Sequence, residues 1–128
     1  MAIFSPRKKH LRVIYADDGP IDRERLPPIL TEQGHSVVCF EDGELALQAI
    51  TDNPGDFDLL ITDNDMPRMG GIRLVTELRK IQFKGQILVV SGYLGAAEKK
   101  EYEDLGVHVF LSKPFPNERI LEAIERCK

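Results

Sequence analysis

The stretch that most constrains this chain is Phe57-Asp58-Leu59-Leu60-Ile61-Thr62-Asp63-Asn64-Asp65-Met66-Pro67-Arg68-Met69-Gly70-Gly71. From Phe57 to Thr62 it is apolar or β-favouring, short and nearly uninterrupted, the pattern of a strand buried on both faces. Two acids, Asp63 and Asp65, end the run, and Pro67 cannot continue a strand ladder. Gly70-Gly71 then opens a helical pattern. The segment is predicted as strand, acidic loop and helix, with Asp63 at the carboxyl end of the strand. In open α/β sheets that end is where ligands bind.

The rest of the chain repeats this alternation. Leu11 to Ala16 reads as a first strand, stopped by Asp17-Asp18-Gly19-Pro20. A helix is expected from about Pro20 to Gln33, with Ile21, Leu26, Ile29 and Leu30 on one face and Gly34 as its stop. Pro27 and Pro28 fall inside it and remove two donors, so a bend or break is predicted there. Ser36 to Phe40 reads as a strand, and Asp42 can cap a second helix carrying Leu45, Ala46, Leu47, Ala49 and Ile50. After a turn at Asn53-Pro54-Gly55 and the central strand, a third helix presents Ile72, Val75, Leu78 and Ile81 at near-helical spacing. Gln86 to Val90 is a strand ending at Ser91-Gly92. A charge-rich helix with Ala96, Ala97, Tyr102 and Leu105 follows Gly95. Val107 to Leu111 is the fifth strand, ending at Ser112-Lys113-Pro114, and the last helix buries Ile120, Leu121 and Ile124. Regular βα alternation implies an α/β fold, a parallel sheet with helices on both faces. Periodicity alone leaves the strand order open.

Composition narrows the function classes. The 128 residues are 42% hydrophobic and 30% charged, an ordinary globular mixture for one domain. A formal net charge of -4 argues against direct nucleic-acid binding by this chain. Arg7-Lys8-Lys9 is the only basic cluster and reads as part of a solvated leader over residues 1–10, ahead of a domain at 11–128. The apolar run at Leu11–Ala16 is too short for a signal peptide or a membrane span. Cys39 and Cys127 have neither metal-site nor CxxC spacing, and His10, His35 and His108 lack metal-ligand spacing. The thiols read as inert, the histidines as structural or surface residues, and the location as the reducing cytoplasm.

The chemistry lies in the residues at the strand ends: Asp17 and Asp18 after the first strand, Asp63 after the third, Ser91 after the fourth and Lys113 after the fifth. In a parallel sheet these ends share one edge, so residues distant in sequence converge. Clustered carboxylates repel, and proton uptake or a cation must offset that. Oxygen ligands of this kind suit Mg²⁺. Lys113 adds a point charge suited to a phosphoryl group, and Ser91 a hydroxyl donor. A carboxylate nucleophile, a divalent metal, an ammonium and a hydroxyl make a phosphoryl-transfer site. Taken singly, each residue is equally at home in a turn, a cap or on the surface; their joint placement carries the reading.

With these residues in order, the chain resembles a receiver domain of the two-component response-regulator family from about Leu11 to the last helix. The family's acid pair matches Asp17-Asp18, its phospho-acceptor Asp63, its following Met-Pro Met66-Pro67, its Ser/Thr Ser91, its Lys-Pro-Phe Lys113-Pro114-Phe115 and its switch aromatic Phe110. The resemblance implies a flavodoxin-like sheet ordered 2-1-3-4-5 and a cis Lys113–Pro114 peptide. It implies Mg²⁺ held by Asp18, Asp63 and the backbone carbonyl of Asp65, with Asp17 acting largely through water. It also implies a signalling domain, not a classical enzyme, that takes a phosphoryl group from a histidine kinase or phosphotransfer protein onto Asp63. It would answer to an effector protein or a second copy through helix four, strand five and helix five, as a stand-alone regulator or as the receiver of a hybrid kinase. Gly70 where an acid is common and Pro27-Pro28 in helix one depart from the family pattern. Asp63-Asn64-Asp65 also resembles the Asp-x-Asp of haloacid-dehalogenase-type phosphatases, but Pro67 and the early position of Asp17-Asp18 disagree with that family. A pseudo-receiver that only binds partners is a third reading.

Overall fold

The computed structural model describes residues 9–128, so most of the expected leader, including Arg7 and Lys8, lies outside the described residues. Five strands alternate with five helices: β1 Arg12–Ala16, α1 Pro20–Thr31, β2 Ser36–Phe40, α2 Gly43–Asp52, β3 Leu59–Asp63, α3 Gly71–Lys80, β4 Gln86–Ser91, α4 Ala96–Asp104, β5 Val109–Ser112 and α5 Asn117–Arg126. All strand pairs are parallel, in the order β2-β1-β3-β4-β5. This is the flavodoxin-like order that the resemblance implied.

Alternation along each strand divides the core in two. Val13, Tyr15, Leu59, Ile61, Leu88, Val90 and Leu111 point to the side covered by α1 and α5, where Leu26, Leu30, Ile120 and Ile124 meet them. Ile14, Ala16, Leu60, Ile87 and Val89 point to the other side, where Ala46 and Ile50 of α2, Leu74 and Leu78 of α3 and Tyr102 of α4 close over them. Phe110 packs on this second side while its neighbours Val109 and Leu111 serve the first, as strand alternation requires. β3 is buried at all five positions because it lies in the middle of the sheet with helices on both faces.

Several expectations need correction. α1 runs through Pro27 and Pro28 without interruption. Each proline removes a bond to the carbonyl four residues back. The carbonyl of Arg23, freed by Pro27, instead accepts from the Cys39 thiol at 3.9 Å on neighbouring β2. The carbonyl of Glu24, freed by Pro28, belongs to an exposed residue. The helix ends at Thr31, short of Gln33, and Gly34 reverses the chain with φ +88°, a conformation natural to glycine. Ile21 is 77% exposed and does not share the face of Leu26, Ile29 and Leu30. Five residues before Leu26, it falls outside the i, i+3, i+4 stripe. Ile81 lies past the end of α3 and is also exposed. β5 begins at Val109, because Val107 is taken up by the end of α4, where its N–H bonds to the carbonyl of Tyr102. The exposed His108 therefore precedes the strand.

Candidate functional site

Strand register assembles the site. Ala16 pairs with Thr62, so Asp17 follows β1 beside Asp63 at the end of β3. Asp63 pairs with Val90, one residue before Ser91, and Ser91 pairs with Ser112, one residue before Lys113. The N–H of Lys113 bonds to the carbonyl of Ser91 at 2.8 Å, and the Lys113–Pro114 peptide is cis. Four of the expected residues, Asp17, Asp18, Asp63 and Lys113, come together through their side chains. The carboxylate oxygens of Asp17, Asp18 and Asp63 lie within 4.8 Å of one another. The Lys113 ammonium donates to Asp17 Oδ2 at 2.6 Å, to Asp22 Oδ2 at 3.2 Å and to Asp63 Oδ2 at 3.4 Å.

Burial and hydrogen bonds differ sharply among the acids. Asp17 is fully buried, accepting from the Tyr15 hydroxyl at 2.6 Å and from the Gly19 N–H at 2.8 Å. Asp18 is exposed at the mouth of the site. It lines a shallow cleft with Asn64, Asp65, Met66, Pro67 and Gly70. Asp63 is buried, and its Oδ1 accepts from the Asn64 N–H at 2.8 Å. Burial is the main cause that raises the Asp63 carboxyl; Lys113 pulls it down and the negative charge of Asp17 pushes it up, and the balance leaves it at about 6. Burial alone would lower the Lys113 ammonium, but its bond to Asp17 and the charges of Asp17 and Asp63 leave it firmly protonated.

Ser91 is buried at the edge, where its hydroxyl donates to the carbonyl of Tyr93 at 2.8 Å, and Tyr93 is exposed. Phe110 is half-buried. Its ring meets Tyr102 edge-on with centroids 6.0 Å apart, and the Lys99 ammonium lies 5.4 Å from its centre. Asp65 is exposed on the loop after β3. That loop is tied down at Arg68, which takes the left-handed conformation with φ +65° and pairs with the fully buried Asp42, the cap of α2. Gly71 opens α3 where Tyr102 Oη and the carbonyl of Asp63 approach so closely that no side chain fits.

Sequence reasoning missed three participants. Asp22 follows the acid pair by four residues and lies in the first turn of α1, a spacing that could have flagged it. Asn64 and its partner Glu98 carry no such signal, since their contact spans 34 positions. The remaining polar candidates behave as expected. His35 accepts from the Leu11 N–H at 2.9 Å, and the Cys127 thiol is buried and pushed up to about 11 by desolvation.

A buried acid at the carboxyl edge of a parallel sheet, with a cluster of carboxylates and a strand-end lysine, defines a class of α/β domain whose polar site lies at one sheet edge. The comparisons assign the family. The model of the response regulator receiver domain matches residues 13–125, and the chain belongs to that family of two-component signalling domains. It is 30% identical over 122 residues to the sensory/regulatory protein RpfC of Xanthomonas campestris, covering 92% of this chain and 16% of that protein. It is 33% identical over 119 residues to the transcriptional regulatory protein FixJ of Bradyrhizobium diazoefficiens, covering 92% of this chain and 56% of that protein. The chain thus spans only part of these curated relatives. Among solved structures it superposes on chemotaxis protein CheY4 of Vibrio cholerae with a TM-score of 0.83 and 28% identity, covering 91% of this chain and 98% of that one. Among the described residues no helix is long and apolar enough to cross a membrane.

Proposed function

We propose that this domain accepts a phosphoryl group on Asp63 from the phosphohistidine of a histidine kinase or phosphotransfer protein, in the cytoplasm and with Mg²⁺. The observation that carries the reading is the grouping of Asp63 with Lys113, Asp17 and Asp18 at one sheet edge.

The donor set fits a hard cation: three carboxylates converge, and burial, with the negative charge of Asp17 added to it, holds the Asp63 carboxyl above its ordinary range. Asp18 and Asp63, with the backbone carbonyl of Asp65, would hold Mg²⁺, with Asp17 acting largely through water. When bound, the ion supplies charge neutralisation for phosphoryl oxygens.

The chain's own residues do the rest. The Asn64 N–H fixes Oδ1 of Asp63, and Oδ2 faces the ammonium. A carboxylate oxygen of Asp63 attacks phosphorus in line. The new O–P bond forms as the N–P bond of phosphohistidine breaks, and the bonding pair leaves on the imidazole nitrogen. Lys113 releases one carboxylate and neutralises the transferred group. Water later hydrolyses the acyl phosphate. Ser91 turns from Tyr93 toward the phosphoryl oxygens, Phe110 follows, and the face of α4, β5 and α5 meets an effector protein or a second copy. The domain is a switch that promotes its own phosphotransfer, either as a stand-alone regulator or within a hybrid kinase.

Incubation with acetyl phosphate and Mg²⁺, followed by intact-mass measurement, tests the reading. One phosphoryl group is expected on the wild type and none with chelator or in Asp63→Asn. Equal labelling of that variant overturns the assignment. Turnover of small phosphomonoesters would instead favour a haloacid-dehalogenase-type phosphatase.

A further inference from the structure

Asn64 is the residue through which α4 reaches the acceptor. Its N–H holds Asp63 Oδ1 at 2.8 Å. Both ends of its buried side chain are also engaged: Oδ1 accepts from the Tyr102 hydroxyl at 2.6 Å, and Nδ2 donates to Glu98 Oε2 at 2.7 Å. Glu98 and Tyr102 stand one turn apart on α4, so two residues of one helix grip a single amide. The other oxygen of Glu98 accepts from the N–H of Gly95 at 3.3 Å, where the helix begins. Tyr102 is the one buried side chain of α4, and its ring meets Phe110. α4 therefore has little apolar anchorage beyond Tyr102, and its polar attachment to the β3–α3 loop runs through Asn64.

We infer that Asn64, gripped by Glu98 and Tyr102, is a positioning residue that links the state of Asp63 to the placement of α4 by a route that bypasses Ser91. This rests on the reading of Asp63 as phospho-acceptor. The side-chain grip fixes the Asp63–Asn64 peptide, and that peptide aims its N–H at Oδ1 and leaves Oδ2 for Lys113. Phosphorylation of the carboxylate, which makes it an acyl phosphate, changes the charge that this N–H senses. In an amide free to turn, the resulting shift would be lost to solvent. Here the amide has one donor and one acceptor partner, both on α4. A flip would set its carbonyl against the Glu98 carboxylate and take away the acceptor of the Tyr102 hydroxyl. Displacement of the peptide therefore pulls on α4.

The test uses the full chain with Glu98→Ala, Tyr102→Phe and Glu98→Gln, which leave Asp63, Ser91, Lys113 and Phe110 intact. Thermal melts establish folding. Acetyl phosphate with Mg²⁺ then gives the rate of Asp63 labelling, and amide exchange across 96–104 is compared with and without phosphorylation. The expected result is that Glu98→Ala and Tyr102→Phe each slow labelling several-fold and remove most of the phosphorylation-dependent change in α4 protection. Glu98→Gln, which keeps an acceptor for Asn64, should recover most of both. A wild type that labels and responds, with variants that do the same whatever their melting temperature, overturns the inference alone. A wild type never labelled on Asp63 overturns the proposed function and this inference with it.

Discussion

Lys113 donates its shortest hydrogen bond to Asp17, at 2.6 Å, and stands 3.4 Å from the carboxylate of Asp63. The lysine is thus held chiefly by the fully buried acid, with its ammonium over the one proposed to react. Removing it should expose the repulsion it offsets. In metal-free Lys113→Ala, the Asp63 carboxyl should titrate above its value of about 6, by roughly a unit or more. Carbon-detected NMR titration of Asp63 reads this directly; an unchanged or lower midpoint would mean that Lys113 does not act on Asp63.

The raised Asp63 carboxyl also sets a pH dependence of stability. The folded state holds this proton more tightly than the unfolded chain, so the contribution of Asp63 to stability is greatest below its ordinary carboxylate value. It is lost as pH rises through about 6. Asp63→Asn without divalent cation should therefore be more stable than wild type above pH 6, by roughly 1–3 kcal/mol. The gain should shrink toward zero at acid pH. Urea unfolding at several pH values measures it. A gain that grows on acidification contradicts the assignment.

Asp42 links the loop after β3 to the start of α2. It is buried, caps the helix through the Leu45 N–H at 2.9 Å and pairs with Arg68. Asp42→Ala should cost about 2 kcal/mol, from the lost cap and the lost partner of Arg68. Asp42→Asn keeps a capping oxygen and should cost less. Denaturant midpoints decide; equal losses would place the whole effect in the charge.

Phe110 should be needed for the response but not for the chemistry. Phosphorylated wild type is expected to change its association state or its α4 protection, and Phe110→Ala to label normally while losing most of that change. Light scattering and amide exchange are the measurements. If Phe110→Ala responds as wild type does, the ring is only core.

The legible parts of this protein were those written locally. The uninterrupted apolar run at Leu59–Ile61, the abrupt acids after it and the strand-end Lys113 place the edge of the sheet from periodicity and punctuation alone. The strand order came from resemblance, because pairing partners leave no local trace. The break that Pro27 and Pro28 suggested does not occur, and a neighbouring strand compensates: the Cys39 thiol approaches the orphaned Arg23 carbonyl. Ile21 misled because hydrophobicity was counted without its angle around the helix. Asn64 and Glu98 stayed hidden because their meaning arises only when α4 folds against the strand ends.

The central claim is that Asp63 itself carries the phosphoryl group. The chain is treated with acetyl phosphate and Mg²⁺, then reduced with borohydride, which converts an aspartyl phosphate to homoserine, and mapped by peptide mass spectrometry. Homoserine is expected at position 63 alone, and none when chelator replaces Mg²⁺. Modification at Asp17, Asp18 or Asp65 with position 63 unchanged would contradict it.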